Sequence, residues 1–308
     1  MNNNTKFSGG IGTASVLLAA FFWGSMGCFA RYLNAYGLGA FETTQIRITV
    51  GFVAISIYLL IFHRDLFKIK LKDLWCFLGT GIVSLLFFSV CYFKSLEYVT
   101  VSTATILLYT SPIFVMLMSI VLFKEKLTVI KGVALLSAFC GCILVSGVVG
   151  GGANKPIGII LALCSGVFFS FYSIFSRYAI MRGYSSLTVV FYTFLFSSVG
   201  CSFLCDWKIV SDVVFVPDIK VILLSVGLGF VTGFLPYVLY SKGLELMESS
   251  KASIMASIEP VVATLFGVFL FKEKITVLGV IGIVLVLASV IMLSINPHKE
   301  NNREIRTE

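Results

Sequence analysis

Histidine and charge are both scarce in this chain. Of 308 residues, two are histidine (His63 and His298) and 12% are charged. Soluble domains carry about 25% charge. That shortfall excludes an ordinary cytosolic enzyme, a disordered tail protein and a nucleic-acid binder. Both histidines fall in polar connectors, so no imidazole sits where a catalytic triad or a metal site could form. Eight cysteines occur without a C-x-x-C pair, all in or beside apolar runs. A disulfide framework or zinc site needs other spacing and a polar context, so these read as small lipid- or core-facing residues. There is no Walker motif, and Gly227-x-Gly229-x-x-x-Gly233 lies inside an apolar run with no strand before it. A phosphate-binding loop needs that strand. Neither a cofactor nor a metal is called for.

What the chain has instead is apolar sequence: 58% hydrophobic residues and a mean hydropathy of +1.01. Ten runs long enough to cross a bilayer appear near 11–31, 42–62, 74–93, 101–122, 129–148, 157–177, 187–205, 219–240, 252–271 and 276–295. They are numbered here one to ten. The first is too long for a signal h-region and is followed by Arg31-Tyr32 without a small-x-small cleavage site, so it reads as a span and not a removed signal. All ten are continuous and not alternating, so helices are expected, because only helices and closed barrels satisfy their backbone in lipid. Thr128 and Thr276 stand where a hydroxyl can cap runs five and ten, and Pro156 opens run six, where a missing N–H is tolerated.

Lysine and arginine orient the runs. With the N-terminus cytosolic, 15 of these residues fall on the inside and 7 on the outside, with Arg47 inside run two. That bias puts both termini in the cytosol, with a polar cytosolic tail from about residue 296. The net charge of +8 is therefore membrane topology and not an acidic partner. The Phe-Lys-Glu-Lys segments at 123–126 and 271–274 read as interface anchors and helix-end caps, with a gating ion pair as the sharper alternative.

The chain also repeats itself. Residues 92–126 align with 240–274 at an offset of 148 without a gap, and 14 of 35 positions are identical. Pro112 matches Pro260, and Ser111 matches Glu259. At an offset of 146, Trp23 faces Phe169, Met26 faces Tyr172, and Arg31-Tyr32 faces Arg177-Tyr178. Each repeat holds five runs, and an odd number reverses chain direction. The expected fold is thus an all-α integral membrane protein of ten transmembrane helices in two inverted five-helix repeats, 1–148 and 149–308. The glycine-rich stretch from Gly147 to Gly152 joins them. Inverted repeats are a device of secondary transporters.

Several motifs carry a family resemblance: Phe22-Trp23-Gly24, Arg47, the Leu107–Pro112 segment with its Phe-Lys-Glu-Lys exit, and the Ala252–Pro260 segment with the second copy. With these motifs in order and duplicated, the chain resembles the drug/metabolite transporter superfamily and its EamA-type family, over roughly Gly12 to Ile295. The resemblance implies alternating-access transport of small solutes, often outward. It also implies a cavity between the halves, lined by runs one, three, four and their counterparts. It does not imply one substrate.

Two buried charges stand out. Glu259 precedes Pro260 well inside run nine. Proline cannot donate, so an upstream carbonyl loses its partner and the helix can open there. A carboxyl at such a break can bind a proton, an amine or a free N–H, and it can equally serve only the exposed backbone; ionisable groups inside membranes are functional candidates by default. Arg47 can hold a carboxylate as a bidentate fork, or snorkel to the interface. Trp23, Met26, Phe169 and Tyr172 on runs one and six, with Tyr92, Tyr109, Tyr237 and Tyr240 on runs three, four and eight, form a candidate aromatic cage. Such rings hold flat or cationic groups at roughly 0.5–2 kcal/mol each. Ser111 with Pro112, and Pro260, are the expected helix breaks.

These features support a plasma- or inner-membrane secondary transporter that exports a small metabolite, amino acid or amine-like solute, driven by protons or a counter-substrate. It is a monomer or a homodimer, and its partners are the lipid bilayer and a small-molecule substrate, with no nucleic acid. Uptake of a similar solute is the alternative direction. A membrane enzyme would need converging nucleophile, base or metal ligands, and a passive channel would use symmetric oligomers or charged rings. The topology is directly testable by thiol labelling in intact cells: Lys68→Cys should react only from the cytosolic side and Lys208→Cys only from outside. The reverse pattern overturns the orientation.

Overall fold

The computed structural model describes residues 3–145, 155–214, 218–272 and 274–295. The Gly147–Gly152 joint, the tail from 296 and Glu273 lie outside the described residues. Every run folds as helix, and there is no strand among the described residues. Eight helices are long and apolar enough to cross a membrane. Run seven gives Ser186–Ser202 followed by Trp207–Val214 at a bend of 107°, a ninth span if the pair is one. The bend has a local cause. The Asp206 carboxylate accepts the backbone N–H of Lys208 at 3.0 Å and starts a second helix, while Trp207 Nε1 donates to Ser202 O at 3.0 Å. Run five is helical over Val129–Val145, up to the last described residue of the first half.

The ends are built as the residue types dictate. Thr128 Oγ1 accepts from Lys131 N at 3.3 Å, and Thr276 Oγ1 from Gly279 N at 3.0 Å. Pro156 opens the helix Pro156–Met181. Lys124 and Lys272, equivalent in the repeat, both take left-handed conformations (φ 54° and 58°) that end runs four and nine.

The two halves also repeat in their irregularities. Run three carries a π-helical stretch at Gly79–Leu86, and run eight carries one at Leu228–Phe234, at equivalent positions. Such widened turns free backbone groups and let a neighbour approach closely. The partners are exchanged between the halves. Gly81 of run three abuts the Thr193 carbonyl of run seven, and Gly229 and Gly233 of run eight abut the Arg47 carbonyl of run two. Gly79 seats Phe175 of run six, and Gly227 seats Phe29 of run one. Runs five and ten meet at Gly141 and Gly282. Small residues thus bring helix backbones together where lipid supplies no hydrophobic drive. Gly27 and Gly132 make no such approach: nothing lies within 4 Å of a Cβ built on either.

One end of the bundle is tied across the repeats by polar contacts. Arg182 Nε lies 3.0 Å from Asp73 Oδ1, Tyr184 OH donates to Asp73 Oδ2 at 2.8 Å, and Lys70 N donates to Tyr184 OH at 3.0 Å. Burial lifts the Tyr184 phenol above the ordinary tyrosine value, against the pull of the Lys70 N–H, so it stays a neutral donor.

Gly24 gives the sharpest packing test. A Cβ there would stand 2.8 Å from Val262 and 2.9 Å from the Glu259 carbonyl, whereas one on Gly132 meets open space. Gly24→Ala should therefore destabilise by about 1–3 kcal/mol, and Gly132→Ala should be neutral or stabilising by up to about 1 kcal/mol. Thermal unfolding in detergent reads both signs.

Candidate functional site

Runs four and nine do not cross as single helices. Run four is built of Val101–Leu108 and Ser111–Phe123, and run nine of Ser249–Ala256 and Glu259–Phe271. Pro112 and Pro260 are the second residues of the later halves. Neither has an N–H to give the carbonyl four residues back, Leu108 or Ala256. The chain instead tightens into single turns. Thr110 N donates to Leu107 O at 3.2 Å, Ser257 N to Ile254 O at 3.1 Å, and Ile258 N to Met255 O at 3.4 Å. Ser111 and Glu259 thus occupy the same place, the first residue of a half-helix.

Both breaks are covered by a glycine of the other repeat. Gly24 of run one lies against the Glu259 carbonyl, and Gly166 of run six lies 2.9 Å, measured from a built Cβ, from the Leu107 carbonyl. Irregular backbone at membrane depth is tolerated only where protein buries it or where it lines a cavity. Here it does both.

Between the breaks lies a partly open cavity. Its walls bring together Trp23, Tyr109, Phe169, Tyr172, Tyr237 and Tyr240, with Ser111, Pro112 and Glu259. These nine were all read from the sequence. The rings support one another: Trp23 meets Tyr237 and Tyr240 at 5.4 and 5.3 Å between centroids, and Tyr172 meets Tyr237 edge-on at 5.1 Å. Two phenols are fixed from behind, Tyr172 OH by Ser241 at 2.7 Å and Tyr240 OH by Ser173 at 2.9 Å. Glu259 is the only formally charged residue in the wall. Its carboxylate has no ion pair or hydrogen bond among the described residues.

Four candidates fall outside the wall. Met26 stands three residues after Trp23, and on an unbroken helix it would share the face of that ring. The helix is interrupted at Ser25, whose N–H and Oγ both return to Phe22 O at 3.2 and 2.7 Å. The break rotates Met26 away. Its sulfur accepts from Arg47 Nη1 at 2.7 Å. Arg47 is itself buried and is not among the residues of the wall. Tyr92 turns its hydroxyl to Thr105 Oγ1 at 3.0 Å, against run four. Pro260 packs in the interior and acts through the break. Ser170, Ser173, Ser253 and Ser257 were missed and do line the cavity. Ser253 stands on the last turn of the Ser249–Ala256 helix and Ser257 follows it at the break, and both border the same space as Glu259.

Comparison with known proteins adds a second line of observation. The model of the EamA-like transporter family matches twice, over residues 10–147 and 156–295. An uncharacterized transporter of Archaeoglobus fulgidus is 28% identical over 282 residues, covering 91% of this chain and 95% of that one. The uncharacterized transporter YwfM of Bacillus subtilis is 24% identical over 96% of this chain and 98% of its own length. The uncharacterized inner membrane transporter YicL of Salmonella typhimurium is 25% identical over 94% and 96%. A crystal structure of a protein 19% identical superposes with a TM-score of 0.75 over 92% of this chain and 96% of that chain. That likeness concerns the fold alone.

Proposed function

The chain belongs to the EamA-like transporter family, and on that premise we propose that it is a secondary transporter moving a small amine-bearing solute by alternating access. The observation that carries the solute class is the cavity wall: one unpaired carboxylate, Glu259, among aromatic rings and serine hydroxyls, with no basic residue in the lining. A carboxylate in such surroundings favours an ammonium group, and the faces of Trp23 and the tyrosines add cation–π attraction. An anionic solute would meet Glu259 without a compensating charge. Arg47, held against the Met26 sulfur and outside the lining, does not offer a fork to the solute.

Alternating access fits the architecture. Ten crossings in two inverted repeats would place equivalent broken helices, with Ser111 and Glu259 at the breaks, about a pseudo-two-fold axis. The exchanged pairings support this: run one covers the break of run nine, and run six covers that of run four. Rocking of the halves would open the cavity to one side and then the other. The membrane is the inner or plasma membrane, with both termini cytosolic, and export is the direction. Glu259 would accept a proton or an ammonium ion but not both, which couples solute movement to the proton gradient without chemistry on the solute.

Counterflow in proteoliposomes tests this, with a panel of amines, amino acids and nucleosides. Amines are expected to exchange, and exchange should fall as pH drops through the titration of Glu259, because only the ionised form holds an ammonium. Glu259→Gln should abolish both exchange and its pH dependence. An unaltered pH profile in that variant removes the coupling role. Trp23→Ala should raise the apparent amine KM by about 2- to 30-fold, the range set by about 0.5–2 kcal/mol of cation–π attraction. Amino acids or nucleosides exchanging in place of amines would overturn the solute class.

A further inference from the structure

Another buried carboxylate, outside the cavity lining, ties the halves together at one end of the bundle. Glu125 follows the second half-helix of run four, and its side chain is 6% exposed. It reaches across to the first residues of run nine. Ser249 N donates to its Oε1 at 2.9 Å, Ser250 N donates to its Oε2 at 3.3 Å, and the Ser250 hydroxyl donates to the same oxygen. The free N–H groups of the Ser249–Ala256 helix are thus capped by a residue 124 and 125 positions away in sequence, and a carboxylate at a helix N-terminus is also favoured by the helix dipole. Lys131, 8% exposed at its side chain, sits 3.9 Å from Glu125 and 2.5 Å from Glu248, and donates to Lys126 O at 3.1 Å.

The two half-helices joined in this way are also cavity walls. Ser111–Phe123 supplies Ser111, Pro112 and Val115, and Ser249–Ala256 supplies Ser253 and Ala256. They can part at this end only if Glu125 releases the Ser249 and Ser250 N–H groups. Phe123 packs on Tyr178 at 4.9 Å, and Tyr178 lies under Arg182, the partner of Asp73. The connectors 63–73 and 182–188 therefore belong to the same closed face, where Thr188 Oγ1 and Tyr192 OH also donate to Leu66 O and Phe67 O at 2.9 and 2.7 Å.

We propose that Glu125 is a latch holding this face closed, and that the cavity opens on this side only when its carboxylate leaves the N-terminus of the Ser249–Ala256 helix. This rests on the alternating-access reading above. The released groups are suited to reversible opening, since a carboxylate and helix N–H groups both hydrate readily once exposed, while Lys131 keeps Glu248. The sequence repeats the latch types at an offset of 148, with Glu273 matching Glu125 and Ser102 matching Ser250.

The test is hydrogen–deuterium exchange on the full chain in lipid nanodiscs, comparing wild type with Glu125→Ala, and with Ser250→Ala as the milder variant if the first fails to fold. Releasing the latch should speed exchange by about fivefold or more in 124–131 and 247–256. It should do the same in the connectors 63–73 and 182–188 of the same face. Exchange at the opposite end, in 38–45 and 203–210, should slow as that face closes. A cap that merely stabilised its own helix would leave the opposite end unmoved. Acceleration confined to 124–131 and 247–256, acceleration everywhere, or no change each overturns the latch. The readout needs no solute, so it can fail while transport stands, and transport can fail while it stands.

Discussion

A bilayer gives an opened backbone nothing to bond with, and the rest of this structure follows from that constraint. Runs four and nine are interrupted in mid-membrane by Pro112 and Pro260. Their freed groups survive because another helix comes close enough to exclude lipid. Gly166 and Gly24 make those approaches possible, and a side chain at either position would push the cover away. The space left beside the two covered breaks is the cavity. Packing at two glycines and the location of the site are thus one arrangement and not two.

Charge is used with the same economy. Most of the charged residues lie at helix ends. Three buried groups are handled in different ways. Glu125 is saturated by backbone and hydroxyl donors and by Lys131. Arg47 is buried and directed at a thioether. Glu259 alone faces the cavity without a partner among the described residues. A satisfied buried charge fixes a structure, whereas an unsatisfied one facing a cavity is available to a ligand or proton. That contrast separates the proposed latch from the proposed binding site, although both are glutamates bound up with the start of a half-helix in run nine.

Much of the site was legible because its cause is local. Proline after Ser111 or Glu259 announces a break by its missing N–H, and the offset of 148 shows that the two breaks are equivalent. The aromatic positions Trp23 and Phe169 followed from the matched motifs. The errors came where a local rule was interrupted by something the rule does not contain. Met26 was placed by helical spacing from Trp23, and a turn at Ser25 cancels that spacing. Tyr92 was placed by its run, but its hydroxyl found Thr105. Gly27 and Gly132 resemble the other glycines in sequence, and only the neighbours show that nothing lies against them.

The sequence by itself determined that the chain is helical and membrane-spanning, that it is duplicated, and that charge inside it is rare enough to be meaningful. Hydropathy, proline chemistry and repeat spacing act along the chain and need no knowledge of neighbours. Only the tertiary structure decided which charges are satisfied. Glu125 reads in sequence as an interface anchor or helix-end cap, and only the fold shows that the helix it caps starts at Ser249 and Ser250. Arg47 is open in sequence between a ligand fork and a snorkelling residue, and the fold sets it against the Met26 sulfur, outside the cavity lining. The partners of Glu125 lie 124 and 125 positions away in sequence, and how the two halves pack decides that they meet it.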